Sequence, residues 1–77
     1  MQIINTEKQL FEGEVKMVRV PGTLGSFEIQ RNHAPIVSTL EPGTIRIVLE
    51  NNEKQTLEIK GGLIENSDNN IIILTGD

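Results

Sequence analysis

Apolar residues recur at every second position over short stretches, and no segment sustains a helical period. Phe27 and Ile29 alternate with Glu28 and Gln30. Ile45, Ile47 and Leu49 alternate with Arg46 and Val48, and Leu57 and Ile59 with Thr56 and Glu58. A period of two sends successive side chains to opposite faces of a strand, so each run predicts a half-buried strand. Gly or Pro punctuates the chain at 13, 21, 22, 25, 35, 42, 43, 61, 62 and 76. These intervals suit short strands. They fall near 2–5, 9–20, 26–30, 36–40, 43–50, 53–60, 62–66 and 70–75.

The inward set Phe11, Gly13, Val15 gives way to Val18 and Val20, a slip of one near Lys16-Met17. An extra residue turns every later side chain to the other face, so the slip predicts a β-bulge there. Asn51-Asn52 between two alternating runs predicts a hairpin, because Asn tolerates the positive φ of a tight turn. A second hairpin with a longer loop is expected across Asn66-Ser67-Asp68-Asn69-Asn70. The unbroken Ile71-Ile72-Ile73-Leu74 predicts a strand covered on both sides. The fold class is all-β: a small β-sandwich of about ten short strands, one domain over residues 1–77.

Composition agrees. The chain has 11 Ile, 7 Leu, 5 Val and 2 Phe but a single Ala, which favours strands over helices. There is no cysteine, so no disulfide or thiolate metal site staples so short a chain. The net charge of −4 argues against nucleic acid and an anionic membrane surface as partners. No apolar run approaches the roughly 20 residues of a membrane-spanning helix, and no direct lipid insertion is expected. The start of the sequence lacks the pattern of a signal peptide, which fits a cytosolic setting.

Candidate chemistry is sparse. His33, the one histidine, has no second His or Cys to share a metal. It is expected to fix its turn by a side-chain hydrogen bond. Ser26 and Ser38 sit in no nucleophile elbow. Asp68-Asn69-Asn70 lacks the glycine and terminal glutamate of a calcium loop. Gly22-Thr23-Leu24-Gly25 lacks the flanking lysines of an RNA clamp. Glu12 and Glu14 read as a solvated edge. No catalytic, metal or cofactor-binding residue is expected. The segment from Val20 to Gly43 holds all three prolines and three of the seven glycines. Turns so pre-set suit docking rather than chemistry.

Motifs in this order resemble one family. They are Leu10-Phe11-Glu12-Gly13-Glu14-Val15, Val20-Pro21-Gly22 with Gly25, His33-Ala34-Pro35, Leu40-Glu41-Pro42-Gly43-Thr44-Ile45-Arg46-Ile47, Gly61-Gly62-Leu63-Ile64-Glu65, and Asn70-Ile71-Ile72-Ile73-Leu74. Together they resemble the N-terminal β-sandwich domain of the epsilon subunit of bacterial F-type ATP synthase, called delta in mitochondria. The resemblance covers nearly the whole chain.

It implies a ten-stranded, non-catalytic rotor subunit at the foot of the central stalk, docked on the gamma subunit and the membrane c-ring. That location is peripheral, on the cytoplasmic face of the cell inner membrane. The c-ring-facing residues it implies are Pro21, Gly22, Thr23, Leu24, Gly25, Ser26, Glu28 and His33. The gamma-facing ones are Ser38, Thr39, Leu40, Lys60, Gly61 and Gly62.

The chain departs from the family pattern in three places. Arg31-Asn32 stands where the family has Pro-Gly, and Asn keeps access to the left-handed conformation. The acidic group expected near Ser26 is moved to Glu28. The sequence stops at Leu74-Thr75-Gly76-Asp77, before the helical hairpin that senses ATP and inhibits rotation in the family. No ATP binding is therefore expected. The rival reading is a free-standing β-sandwich module for a peptide or sugar, though the aromatic platforms of sugar sites are absent, with no Trp or Tyr.

Overall fold

The computed structural model describes residues 1–76. Its described residues form seven strands and no helix: β1 Gln2–Ile4, β2 Gln9–Glu12, β3 Val15–Val20, β4 Phe27–Gln30, β5 Ile36–Leu49, β6 Lys54–Ser67 and β7 Asn70–Thr75. They join one sheet in the order β2-β1-β7-β6-β5-β3-β4. Every pairing is antiparallel except β1 with β7.

The long strands β5 and β6 make this one sheet a two-layer sandwich. Along β5 the buried positions are Leu40, then Ile45 and Ile47; along β6 they are Ile59 and Gly61, then Ile64 and Asn66. Both strands therefore change their inward face near Glu41–Gly43 and Gly61–Gly62. They change together, so Leu40↔Gly62 and Pro42↔Lys60 stay in one register across the corner. Ile3, Leu40, Ile64, Ile71 and Ile73 from one layer join Val18, Val20, Ile29, Ile45, Ile47 and Ile59 from the other in a single buried cluster.

The corner explains why seven strands stand where about ten were expected. The predicted breaks at Pro42-Gly43 and Gly61-Gly62 are bends inside continuous strands. Proline has no N–H to give the ladder, and the neighbouring Glu41 N–H donates to the Pro21 carbonyl (2.9 Å) instead of to β6. Conversely, the expected run 9–20 is divided at Gly13-Glu14 into β2 and β3.

The bulge lies where the phase slip places it: Val15 pairs Leu49 while Met17 pairs Val48, leaving Lys16 as the extra residue. The Asn51-Asn52 hairpin also forms, with Asn52 at φ 70°. The second hairpin is tighter than expected. Asp68 and Asn69 both take positive φ (51° and 63°), the geometry of a two-residue turn matched to strand twist. Asn66, Ser67 and Asn70 thereby enter the strands. The expectation that 71–74 is covered on both sides fails. Ile71 and Ile73 are core, Ile72 is half-buried, and Leu74 is 44% exposed.

Candidate docking site

The Pro21–Gly25 turn is bolted to the corner of β5. The Thr23 N–H donates to the Thr39 carbonyl (3.1 Å), and the two threonine hydroxyls lie 2.8 Å apart. The Gly25 N–H closes the turn on the Gly22 carbonyl (2.9 Å). Gly22 pairs Leu40 in an isolated bridge. A Cβ on Gly22 would lie 2.7 Å from both the Gly25 carbonyl oxygen and the Phe27 ring, so no other residue fits without a shift. Pro21 and Gly22 are inside this joint, while Thr23, Leu24, Gly25 and Ser26 face solvent.

The fold does not bring His33 to that turn. They lie at opposite ends of β4, and four extended residues span about 13 Å. The His33 loop is held by asparagines. The Asn32 N–H donates to Asn69 Oδ1 (2.6 Å) and Asn69 Nδ2 donates back to Asn32 Oδ1 (3.2 Å). Buried Asn66 lies with Nδ2 3.4 Å from both the His33 and Ala34 carbonyls. Asn32 takes φ 65°, the left-handed conformation its amide side chain permits. His33 Nδ1 lies 2.7 Å from the Ala34 carbonyl. A carbonyl oxygen can only accept, so Nδ1 is the donor in this contact.

Glu28 sits in β4 opposite Arg19 and pairs with its guanidinium (3.1 Å). Its carboxylate therefore already has a cation, and Ser26 lies just outside the strand.

The six residues given by resemblance for the gamma surface do cluster, because β5–β6 pairing sets Leu40 against Gly62 and Thr39 against Leu63. Their side chains do not share a face. Leu40 is 5% exposed and belongs to the core. Ser38 lies on the same inner side two residues away, whereas Thr39 points out.

The outward face of this layer holds a surface that the motifs missed. Register places Glu12, Gln2, Ile72, Glu65 and Val37 in one row across five strands, and Gln9, Ile4, Leu74, Leu63 and Thr39 in the next. The face is thus apolar at its centre, with Val37 66% exposed, and its strand positions carry two carboxylates and no cation. The opposite layer's outer face differs, bearing Arg19, Arg46 and Lys54 with Glu28 and Glu58. The signal was present in the sequence as Ile72 and Leu74, and Ile4 beside core Ile3. In the run 71–74 that signal is indistinguishable, by pattern alone, from a strand covered on both sides.

Comparison with known proteins decides the family. Residues 1–77 match the family described as ATP synthase, Delta/Epsilon chain, beta-sandwich domain. The chain belongs to the ATP synthase delta/epsilon family. It is 38% identical over 77 residues to the ATP synthase epsilon chain of Chlorobium limicola, covering 100% of this chain and 88% of that one. It is 43% identical over 75 residues to the epsilon chain of Leptospira interrogans serogroup Icterohaemorrhagiae serovar copenhageni, covering 97% of this chain but 58% of that one. The fold recurs in the Euglena gracilis mitochondrial ATP synthase (TM-score 0.91, 20% identity, 99% of this chain and 49% of that one). It recurs also in the central stalk/c-ring of the Tetrahymena thermophila enzyme (TM-score 0.81, 20% identity, 99% and 61%).

Proposed function

We propose that this chain is a non-catalytic central-stalk subunit of an F-type ATP synthase, docking on the gamma subunit and the c-ring to couple ion translocation to ATP synthesis. The carrying observation is the family match over the whole chain. The relatives' names support it, as do the neighbours from an assembly with a c-ring and from a central stalk/c-ring. The apolar face, with exposed Leu74 and Val37 beside half-buried Ile4, Leu63 and Ile72, is suited to the gamma subunit, since neighbouring apolar side chains left open on a sheet face mark an interaction site. Its carboxylates Glu12 and Glu65 fit a partner rim rich in Lys or Arg. The Pro21–Gly25 turn, at the strand ends, is suited to the c-ring. The subunit then sits peripherally on the membrane face that carries the catalytic head, and it needs no nucleotide.

The test is reconstitution. ATP synthase stripped of its own epsilon subunit should regain ion-driven ATP synthesis when the chain is added back. Failure to bind the stripped enzyme would sink the reading.

A further inference from the structure

The two outer faces of the sandwich lie back to back, and each carries what the other lacks. The apolar face exposes Val37 and Leu74, and its strand charges are Glu12 and Glu65 with no cation among them. On the opposite face, register aligns Gln30, Met17, Val48 and Lys54 in one row and Glu28, Arg19, Arg46 and Thr56 in the next. Met17 and Val48 are half-buried, a partly open apolar strip. The carboxylates of this face are engaged within the chain. Glu28 pairs Arg19 at 3.1 Å, and Glu58 accepts from the Thr44 hydroxyl. Arg46 and Lys54 have no carboxylate partner among the described residues. Arg46 stands directly across from Arg19, and like charges opposed in a ladder are destabilising. An anion brought from outside relieves that repulsion.

We infer that the free chain binds a second copy of itself head to tail, the apolar acidic face of one copy lying on the cationic face of the next. Two apolar faces laid together would bring Glu12 and Glu65 against their own images with no cation between them, and like charges opposed across a contact are costly. Two cationic faces would oppose Arg46 and Lys54 in the same way. The crossed pairing instead offers Glu65 to Arg46 and Lys54, and lays Leu74 and Val37 over Met17 and Val48. Sheets stack face to face in this manner inside β-sandwiches. A contact between unlike faces is heterologous. Because the two faces look in opposite directions, each added copy presents the same open face as the last, so the stack grows without closing. Two rows of side chains make a small contact by the standard of stable interfaces, and each copy carries a net charge of −4. Association is therefore weak and reversible. The face proposed above for the gamma subunit is the one a second copy covers, so gamma and the stack exclude each other.

Sedimentation velocity of the chain alone tests this, over concentrations from about 10 μM to about 1 mM. The wild-type coefficient should climb with concentration and not level off at a dimer. Leu74→Asp disables one face, and the double variant Arg46→Glu with Lys54→Glu disables the other. Each alone should associate at least tenfold more weakly than wild type. Mixed in equal amounts, the two variants should form a dimer and stop there, because each keeps one working face. The mixture also reports on folding, since a misfolded chain offers no face, and thermal unfolding of both variants should match wild type. A wild type that stays monomeric throughout would overturn the inference, as would one that stops at a dimer. So would a mixture that does not pair. Pairing of the double variant with itself would overturn it too, because that is the contact of two apolar faces. Every reading is taken on the free chain, so the result is independent of whether the chain docks on a central stalk.

Discussion

An alanine methyl at Gly62 would lie 2.0 Å from the Leu74 carbonyl oxygen. β7 cannot retreat from it, since Gly62 pairs Thr75 and Leu63 pairs Leu74 in the same ladder. Gly62→Ala should therefore destabilise the domain by about 3 kcal/mol, the upper end of what overpacking costs. Urea unfolding at an unchanged midpoint would contradict this. Asn66 presents the opposite case. It is 2% exposed, its Oδ1 has no partner, and its two contacts to carbonyls are long. Leucine keeps the branched four-atom shape, though it is larger, and removes the unsatisfied acceptor, while water can reach the carbonyl of exposed Ala34. Asn66→Leu should leave stability unchanged or raise it by about 1 kcal/mol. It should also speed hydrogen exchange through the His33 loop. A loss of stability would show that the amide holds the core rather than the loop. Neither outcome is legible from the sequence alone. Gly61-Gly62 announces a turn, but the strand pressing on Gly62 comes from residues a dozen positions away. Asn66 reads as a loop residue until Asp68-Asn69 closes the turn without it.

Strand phase was the most legible property of the elements. The slip from Val15 to Val18 located the bulge at Lys16 because a bulge writes itself into the order of apolar residues. Without Lys16, Val15, Met17 and Val18 alternate normally and still face Leu49, Val48 and Ile47. Deleting Lys16 should thus give a folded domain, losing little beyond its exposed 2.6 Å bond to Asn52. Deleting Arg19 should instead invert Val20 relative to Val18 and prevent folding. Circular dichroism and a cooperative melt distinguish the two, and equal behaviour would contradict the bulge. The corner was less legible for the same physical reason. β5 and β6 slip phase as well, but the slips coincide with Pro42-Gly43 and Gly61-Gly62. Such residues end strands when no partner bends with them. Here the two strands bend together, and the ladder survives.

The whole molecule divides its tasks by direction. One outer face carries Arg19, Arg46 and Lys54 with Glu28 and Glu58; the other is apolar with Glu12 and Glu65 as its charges. This asymmetry was hidden in the sequence because Ile4, Leu63, Ile72 and Leu74 each stand beside a core residue of the same kind. Only cross-strand register separates them from Ile3, Ile64, Ile71 and Ile73. If the apolar face receives the gamma subunit, its centre should carry most of the affinity, as buried apolar anchors do. Leu74 is the central position, flanked by Ile4 and Leu63. Leu74→Asp should weaken binding to purified gamma subunit at least tenfold, about 1.4 kcal/mol. It should change domain stability by less than about 0.5 kcal/mol, since the side chain lies outside the core. Glu65→Lys, between Ile72 and Val37 in the neighbouring row, should act differently: a slower association at low salt, with the difference vanishing as salt screens it. Calorimetry for the first variant and stopped-flow association for the second check the pair. Wild-type affinity in Leu74→Asp would exclude this face as the gamma contact. A salt-independent effect of Glu65→Lys would mean that the carboxylate is buried at the centre of the interface rather than guiding approach.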